Sequence, residues 1–361
     1  MSQPAKVAAL RVHQEHPFNA GPPLDRLCQA FVTPQALFYV RNHGDVPQLA
    51  PAEYALTVSG LVRTSLHLSL AELRERFQPR TIAATLVCAG NRRDELAQIA
   101  PIPGELAWGA EAIGNAVWEG VALAEVLAAA GIQPEARHVA FTGLDHIEKL
   151  GQRFGFGGSI ALDAPSLQDV LLAYAMNGEP LSPNHGFPLR AVVPGQVGAR
   201  SVKWLANINV QAEPSDNYYQ THAYKLFPPE VTGATVEWSR GQMLQEAPLA
   251  TAICEPADGA WVQGEHALVR GYAYAGGRGI ARVEVSCDGR EPWSEAALAA
   301  EQGPWTWRLW EARLPLQVDT RHIVARAWDD AGNGQPEDLA AVWNFKGYAN
   351  SAWHRVAIRR R

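Results

Sequence analysis

The stretch Thr81 to Arg93, TIAATLVCAGNRR, organises the rest of the chain. Its first half, Ile82 to Val87, is short, apolar and rich in Thr, Val and Ile, which reads as a buried strand. The strand delivers Cys88 into a Gly-containing turn followed by Arg92 and Arg93. A side chain at a strand end before a tight turn is held in a fixed place, as a site residue must be. Adjacent cations favour the thiolate, the form that binds metals or attacks substrates. Taken alone, a free cysteine is more often just a buried residue. One cysteine without partner thiols also cannot build a structural zinc or iron–sulfur site, which needs about four protein ligands. Any metal held here must therefore arrive with most of its ligands attached.

At 361 residues the chain is long enough for two domains, each with its own core. Its net charge of −6 gives no basic field for nucleic acid or anionic membrane, so an anion site has to be a local pocket. The four cysteines, Cys28, Cys88, Cys254 and Cys287, lie far apart with no metal-like spacing. They read as a sign of a reducing compartment, or simply as unpaired thiols, and not as a disulfide framework. No signal-peptide pattern or membrane-length apolar run is present, so the expected location is cytoplasmic, or periplasmic if a leader has been removed.

Residues 1–36 read as a Pro-rich, weakly structured lead-in, in which His13 and His16 are solvated. FYVRNHGDVP (38–47) reads as a strand and turn, and YALTVSGLV (54–62) as a strand. Ser69 and Glu72 form a capping box that opens a helix. Residues 94–120 look loop-rich, VALAEVLAAAGI (121–132) is a helix stopped at Gly131, and HVAFTG runs as a strand toward Asp145. FGFGGSI (154–160) lacks the spacing of a nucleotide loop and is expected to be a flexible loop near the mouth of a site. Strands follow at 170–176, ahead of an Asn177-Gly178 turn, at 189–193 and at 202–210. From Ala250 onward only short alternating strands appear: ALVRGYAYA, ARVEVSCDG, WTWRLWEARL, HIVARAWDD and LAAVWNFKG. Turn signals separate them at sandwich-like intervals. The fold class is thus α+β over residues 1–246, followed by an all-β, immunoglobulin-like sandwich over residues 247–361.

CAGNRR, with FYVRNH (38–43), WGAEAIGNAVWEG (108–120), MNGEPLSPNHGFPLR (176–190), PGQVGARSVKWL (194–205), AYKLFPP (223–229), AVWNFKG (341–347) and NSAWHRV (350–356), resembles the sulfite oxidase family of molybdenum enzymes. The resemblance recurs in order over most of the chain. It implies a molybdopterin-binding catalytic domain followed by a domain that forms a homodimer, with Cys88 as the protein ligand to molybdenum. The cofactor's phosphate and polar pterin need donors and fixed charge. Arg41, Asn42, His43, Asp145, His185, Arg190, Gly198, Ala199, Arg200, Ser201 and Lys203 fall on cofactor-contact positions. For the substrate, the resemblance implies a small-oxyanion pocket built from Arg41, Arg93, Trp108 and Tyr224. Arg92 is assigned to structural pairing.

The chain departs from the family pattern twice: Ala223 stands where an aspartate usually precedes the tyrosine, and Lys346 where a third pocket arginine is usual. Lysine keeps the charge but loses the bidentate fork, so anion binding should be altered. No covalent haem motif or flavin or NAD fingerprint appears, and there is no room for an appended haem domain. The function implied is oxidation of sulfite to sulfate, with electrons leaving to an external acceptor such as cytochrome c, another redox protein or oxygen. The alternatives are nitrate or S-/N-oxide reduction on the same cofactor, and a non-enzymatic dimeric scaffold. A scaffold has no reason to keep Cys88, the arginines and the tyrosine.

Overall fold

Pro79–Val87 forms a strand, its last four residues buried, in the computed structural model, which describes residues 10–360. Readings that rest on residues 1–9 lie outside the described residues. The strand pairs antiparallel with Ile113–Ala122, from Pro79 opposite Val121 to Val87 opposite Ile113. Ile113–Ala122 also pairs with Leu171–Met176, which in turn carries Glu179–Pro180 and Arg190–Val192. A second sheet runs in the order Gly157–Ala161, His138–Gly143, Leu205–Gln211, Ala55–Gly60, Leu66–Ser69. Only the pairing of Leu205–Gln211 with Ala55–Gly60 is parallel in that sheet.

Leu56, Val58, Phe141, Leu172, Leu189 and Ile208 belong to one buried cluster. Each fully buried side chain of this kind contributes roughly 1.5–3 kcal/mol, so the cluster is a stiff support for the loops at its edge. Leu73 of helix Leu70–Arg76 and Val126 of helix Leu123–Ala130 join the same cluster. The capping box is present in both directions: the Ser69 hydroxyl accepts from the Glu72 amide, and the Glu72 carboxylate accepts from the Ser69 amide.

Several local expectations are corrected. Residues 94–120 are loop only over 100–112, since Arg93–Ile99 is a helix and Ile113–Ala122 a strand. That strand is covered on both faces and so shows little alternation. At Gly114 a Cβ would run into the Phe38 ring. FYVRNH forms no strand, only an isolated bridge from Val40 to Ala20. Gly157–Ala161, within the expected flexible loop, is an edge strand. The lead-in contains a small hairpin, Arg11–Gln14 against Asn19–Gly21, which buries His13 against Trp108 with ring centroids 4.4 Å apart. His13 also meets Glu111 (Nε2 to Oε1 2.7 Å), so it is not the solvated histidine expected.

The C-terminal part is a two-sheet sandwich. One sheet is Ala250–Glu255, His266–Tyr274, Arg308–Pro315, Ala297–Leu298, and the other Ala260–Val262, His354–Arg360, His322–Asp329, Ile280–Cys287, Ser294–Glu295. Ile253, Val269, Val283, Val285, Trp310, Ile323 and Val356 fill the space between them. LAAVWNFKG is not a strand: Leu339–Val342 is a 3-10 turn and the rest is loop. A disulfide joins Cys28 in the lead-in to Cys254 in the sandwich, their Cα atoms 6.5 Å apart, while Cys88 and Cys287 are free. The reading of four unpaired thiols is therefore wrong, and the argument for a reducing compartment falls with it. Distance along the chain does not prevent two cysteines from meeting when their elements pack together. Among the described residues no helix is long and apolar enough to cross a membrane.

Candidate functional site

The loop after Pro79–Val87 satisfies its backbone groups by folding over the chain at Trp108–Ala112. The Cys88 amide donates to Ala112 O (2.8 Å), the Arg92 amide to Gly109 O (2.7 Å) and the Asp94 amide to Trp108 O (3.0 Å). The Asn91 side chain accepts from the Ala112 amide (2.9 Å) and donates to the Tyr272 hydroxyl (2.8 Å), which tethers the loop to the sandwich. Arg92 is fully buried: it grips Glu95 with two bonds of 2.7 Å and donates to Thr251 O, Ala352 O and Trp353 O. Its geometry is that of a brace between the two parts of the chain.

Cys88 opens into a cleft lined by both apolar and charged side chains. Of the positions singled out in the sequence, the cleft brings together Arg41, Asn42, His43, Cys88, Asp145, His185, Arg190, Gly198, Ala199, Ser201, Lys203 and Tyr224. Phe38, Tyr39, Phe156 and Trp204 also line it, and sequence reasoning singled out none of the four. Tyr39 and Trp204 sit inside quoted motifs but carry no charge to attract attention. Tyr224 (φ +49°) and Trp204 (φ +50°) both hold left-handed backbone. That conformation costs a bulky residue on the order of 1–3 kcal/mol and concentrates at functional sites.

At one end of the cleft, Arg41 Nη2 donates to His43 Nδ1 (3.1 Å), and His43 Nε2 lies 2.7 Å from the Tyr224 hydroxyl. The Asn19 side chain fixes this corner by accepting from the Asn42 amide (2.7 Å) and from Arg41 (3.3 Å). Burial, then the charges of Arg41 and Lys203, push the His43 pKa well below its usual value. Burial raises the Tyr224 pKa. At neutral pH the pair is thus a neutral imidazole and a protonated phenol.

In the same cleft Lys203 donates to Asn42 Oδ1 and Asn184 O, and Arg190 donates to three carbonyls, His185 O, Ala191 O and Ser201 O. Arg200 lies outside the cleft lining, pointing toward Gly158; it donates to Leu244 O, and its Nε and Nη1 lack partners. Burial lowers both arginines to about 10, and neither meets a carboxylate. Two buried, uncompensated guanidinium groups beside a polar cleft are suited to an anionic group such as a phosphate. Among the described residues, no three His, Cys, Asp or Glu side chains are placed to hold a bare metal ion. The lone Cys88 thiol therefore fits a metal that brings other ligands with it, as a pterin-bound molybdenum does.

Arg93, Trp108 and Lys346 do not line the cleft. Arg93 donates from Nε to Lys346 O and Gly347 O (3.0 and 3.1 Å) and from Nη1 to Leu106 O (2.8 Å). Its guanidinium lies so close to Gly90 that a Cβ there would sit 2.3 Å from Nη2, so only glycine fits two residues after Cys88. Lys346 pairs with Glu105, which also faces Arg93 Nη2 at 3.7 Å. Trp108 is fully buried, with Nε1 unpartnered. Ala223 is buried without a charge beside Tyr224. Sequence reasoning did not find Glu105, which lies in an ordinary-looking PGELA loop.

Residues 43–219 match the oxidoreductase molybdopterin binding domain, and residues 241–361 the Mo-co oxidoreductase dimerisation domain. The Arabidopsis thaliana protein named sulfite oxidase is 40% identical over 99% of this chain and 95% of its own length. The chain belongs to the sulfite oxidase family. Gallus gallus sulfite oxidase is 42% identical over 98% of the chain and 78% of that relative. The crystal structure of the sulfane dehydrogenase SoxCD from Paracoccus pantotrophus superposes with a TM-score of 0.79, covering 97% of this chain and 90% of that one. At 24% identity it speaks to the fold alone, and the fold of this sulfite oxidase family member agrees with it: a molybdopterin-binding part and a C-terminal β-sandwich.

Proposed function

We propose that this chain binds the molybdenum cofactor in the Cys88 cleft, oxidises sulfite to sulfate there, and passes the electrons to an external acceptor. The observation that carries the reading is the meeting of Cys88, Arg41, His43, Tyr224, Arg190 and Lys203 in the lining of one cleft. The cofactor, when bound, supplies oxygen-atom transfer and two-electron redox chemistry. Cys88 is its protein ligand to the metal. His185, Arg190, Ser201 and Lys203 hold the pterin and its phosphate, with the Asn42 side chain and the Gly198–Ala199 backbone closing around them; the buried charge of Arg200 supports the same anion from behind.

Arg41 supplies fixed positive charge for a small oxyanion, and its donation to His43 Nδ1 settles the imidazole tautomer. A neutral imidazole that accepts at Nδ1 carries its proton on Nε2. That N–H donates to the Tyr224 oxygen, so the phenolic hydrogen is directed away from His43 and into the cleft. Phe156 and Tyr219 pack on the His43 ring, with centroids at 5.0 and 4.3 Å, and keep the arrangement dry. A preorganised donor in such a place stabilises developing charge on oxygen. Outside the cleft lining, Arg93 and Lys346 supply further positive charge for the oxyanion, and the buried Trp108 supports the Cys88 loop.

The sandwich, residues 247–361 by our division, pairs two copies of the chain. Cytochrome c, another redox protein or oxygen takes the electrons. The deciding experiment is sulfite-dependent reduction of ferricyanide by molybdenum-loaded protein, with Cys88→Ser beside it. Turnover by the native protein alone is expected. No turnover despite full metal loading would overturn the reading and make nitrate or an S-oxide the next substrate to try.

A further inference from the structure

Lys346 and Arg93 are cations near the cleft, yet their charge is already answered from within the chain. Both face the carboxylate of Glu105: Lys346 Nζ meets Oε1, and Arg93 Nη2 lies 3.7 Å from Oε2. The Arg93 guanidinium is held at Nε and Nη1 by backbone carbonyls and is only 4% exposed, which leaves Nη2 as its free edge. Glu105 and Lys346 are less enclosed, at 14% and 20%. Glu105 follows the exposed Pro103-Gly104 turn, in a stretch with no regular secondary structure to fix it. Glu105 and Lys346 thus both reach water, while Arg93 does not.

Its position also matters to the cleft. Arg93 lies against Gly90, beside Cys88, and its guanidinium sits 5.1 Å from the centroid of the Tyr348 ring. Tyr348 stacks on Tyr224 at 5.3 Å. The field of Glu105 helps raise the pKa of both tyrosines, after burial, so its charge is felt at the cleft wall.

We propose that Glu105 is a built-in competitor for the substrate anion: its carboxylate occupies Lys346 and the free edge of Arg93, and an oxyanion must displace it to use them. This rests on the sulfite reading of the site but concerns its anion affinity and not its chemistry. A lysine is suited to such an exchange, because a point charge can be handed from one anion to another without matching a fork. If Glu105 holds the two cations about nine-tenths of the time, the apparent affinity for an oxyanion is reduced about tenfold.

The test compares native protein, Glu105→Gln, Glu105→Asp, Lys346→Met and the Glu105→Gln/Lys346→Met double variant. Sulfate binding is measured by calorimetry on the purified protein, and KM and kcat for sulfite on molybdenum-loaded samples. Glu105→Gln should tighten sulfate and lower KM by about tenfold, near 1.4 kcal/mol, and turn sulfate into a stronger competitive inhibitor. Glu105→Asp, charged but one methylene shorter, should fall between Gln and native and guards against a folding defect in the first variant. In the Lys346→Met background the effect of Glu105→Gln should shrink to about twofold. Unchanged or weakened sulfate binding in Glu105→Gln would overturn the proposal and make Glu105 a support for Lys346 instead. Tighter sulfate binding in Glu105→Gln, beside a molybdenum-loaded native protein that never turns over sulfite, would leave the competitor standing and remove the sulfite reading.

Discussion

The hydrogen-bond polarity Arg41→His43→Tyr224 makes a quantitative claim about two substitutions. Tyr224→Phe removes the hydroxyl directed into the cleft and leaves His43 Nε2–H, 2.7 Å away in the native protein, without its acceptor. Loss of one preorganised donor to developing charge costs about 100-fold in kcat, roughly 2.7 kcal/mol. His43→Leu keeps the hydroxyl but lets it rotate; that is the loss of one neutral hydrogen bond, roughly tenfold. His43→Gln accepts from Arg41 and donates to Tyr224 with a single amide and should stay within about threefold of native. The assay is steady-state sulfite oxidation with ferricyanide, normalised to bound molybdenum, across pH. Because His43 lies below its usual pKa of about 6.5 and Tyr224 above about 10, neither group should bend kcat between those limits. The reasoning is refuted if His43→Leu costs more than Tyr224→Phe. It is also refuted if native kcat shows a limb near 6.5 that His43→Gln abolishes, because the working species would then be the imidazolium.

Alkylating denatured protein without reductant should modify two cysteines, Cys88 and Cys287, and not four; four would disprove the Cys28–Cys254 bond. Arg190→Met should purify folded but with about a tenth or less of the native pterin content, read by fluorescence of the oxidised pterin; native content would remove Arg190 from the phosphate site. His354 is buried, accepts from the Ile253 amide (3.0 Å) and is pushed down to about 4 by burial, against about 6.5 unfolded. A lowered folded pKa gives stability that is complete above 6.5 and is lost as pH falls toward 4, here about 3 kcal/mol. The difference between native and His354→Gln unfolding curves over that range should show this loss, and parallel curves would refute it.

What could be read from the sequence was local or charged. Cys88 could be placed because strand, turn and arginines are contiguous, and the cleft donors because each lies in a short motif. The strand Ile113–Ala122 hid because a strand covered on both faces needs small residues, here Gly114 against Phe38, and small residues read as loop. The Cys28–Cys254 bond joins residues 226 apart, and Glu105 meets Lys346 across 241. No local pattern encodes such meetings, since they are decided by how the sandwich packs against the Cys88 loop. His13 was dismissed for the same reason: its burial depends on Trp108 and Glu111, about a hundred residues on.

The cations in and around the cleft handle charge in two opposite ways, and the difference follows from what each group must hold. Arg190 and Arg200 are buried with no carboxylate beside them, and burial depresses both; Arg190 lines the cleft, where a resident anion would meet its charge. A group bound there gains the full value of the pairing and has no internal rival, as a cofactor that stays in place requires. Outside the cleft lining, Lys346 and Arg93 already face Glu105, so an anion arriving there gains only the difference between itself and that carboxylate. Weak net binding suits a site that must take in a sulfite and release a more weakly basic sulfate at every turnover. On this argument a third arginine at position 346 would not simply improve the pocket. Lys346→Arg could grip Glu105 with two bonds, and unless Glu105 were neutralised as well, the stronger cation would hold its own competitor more tightly.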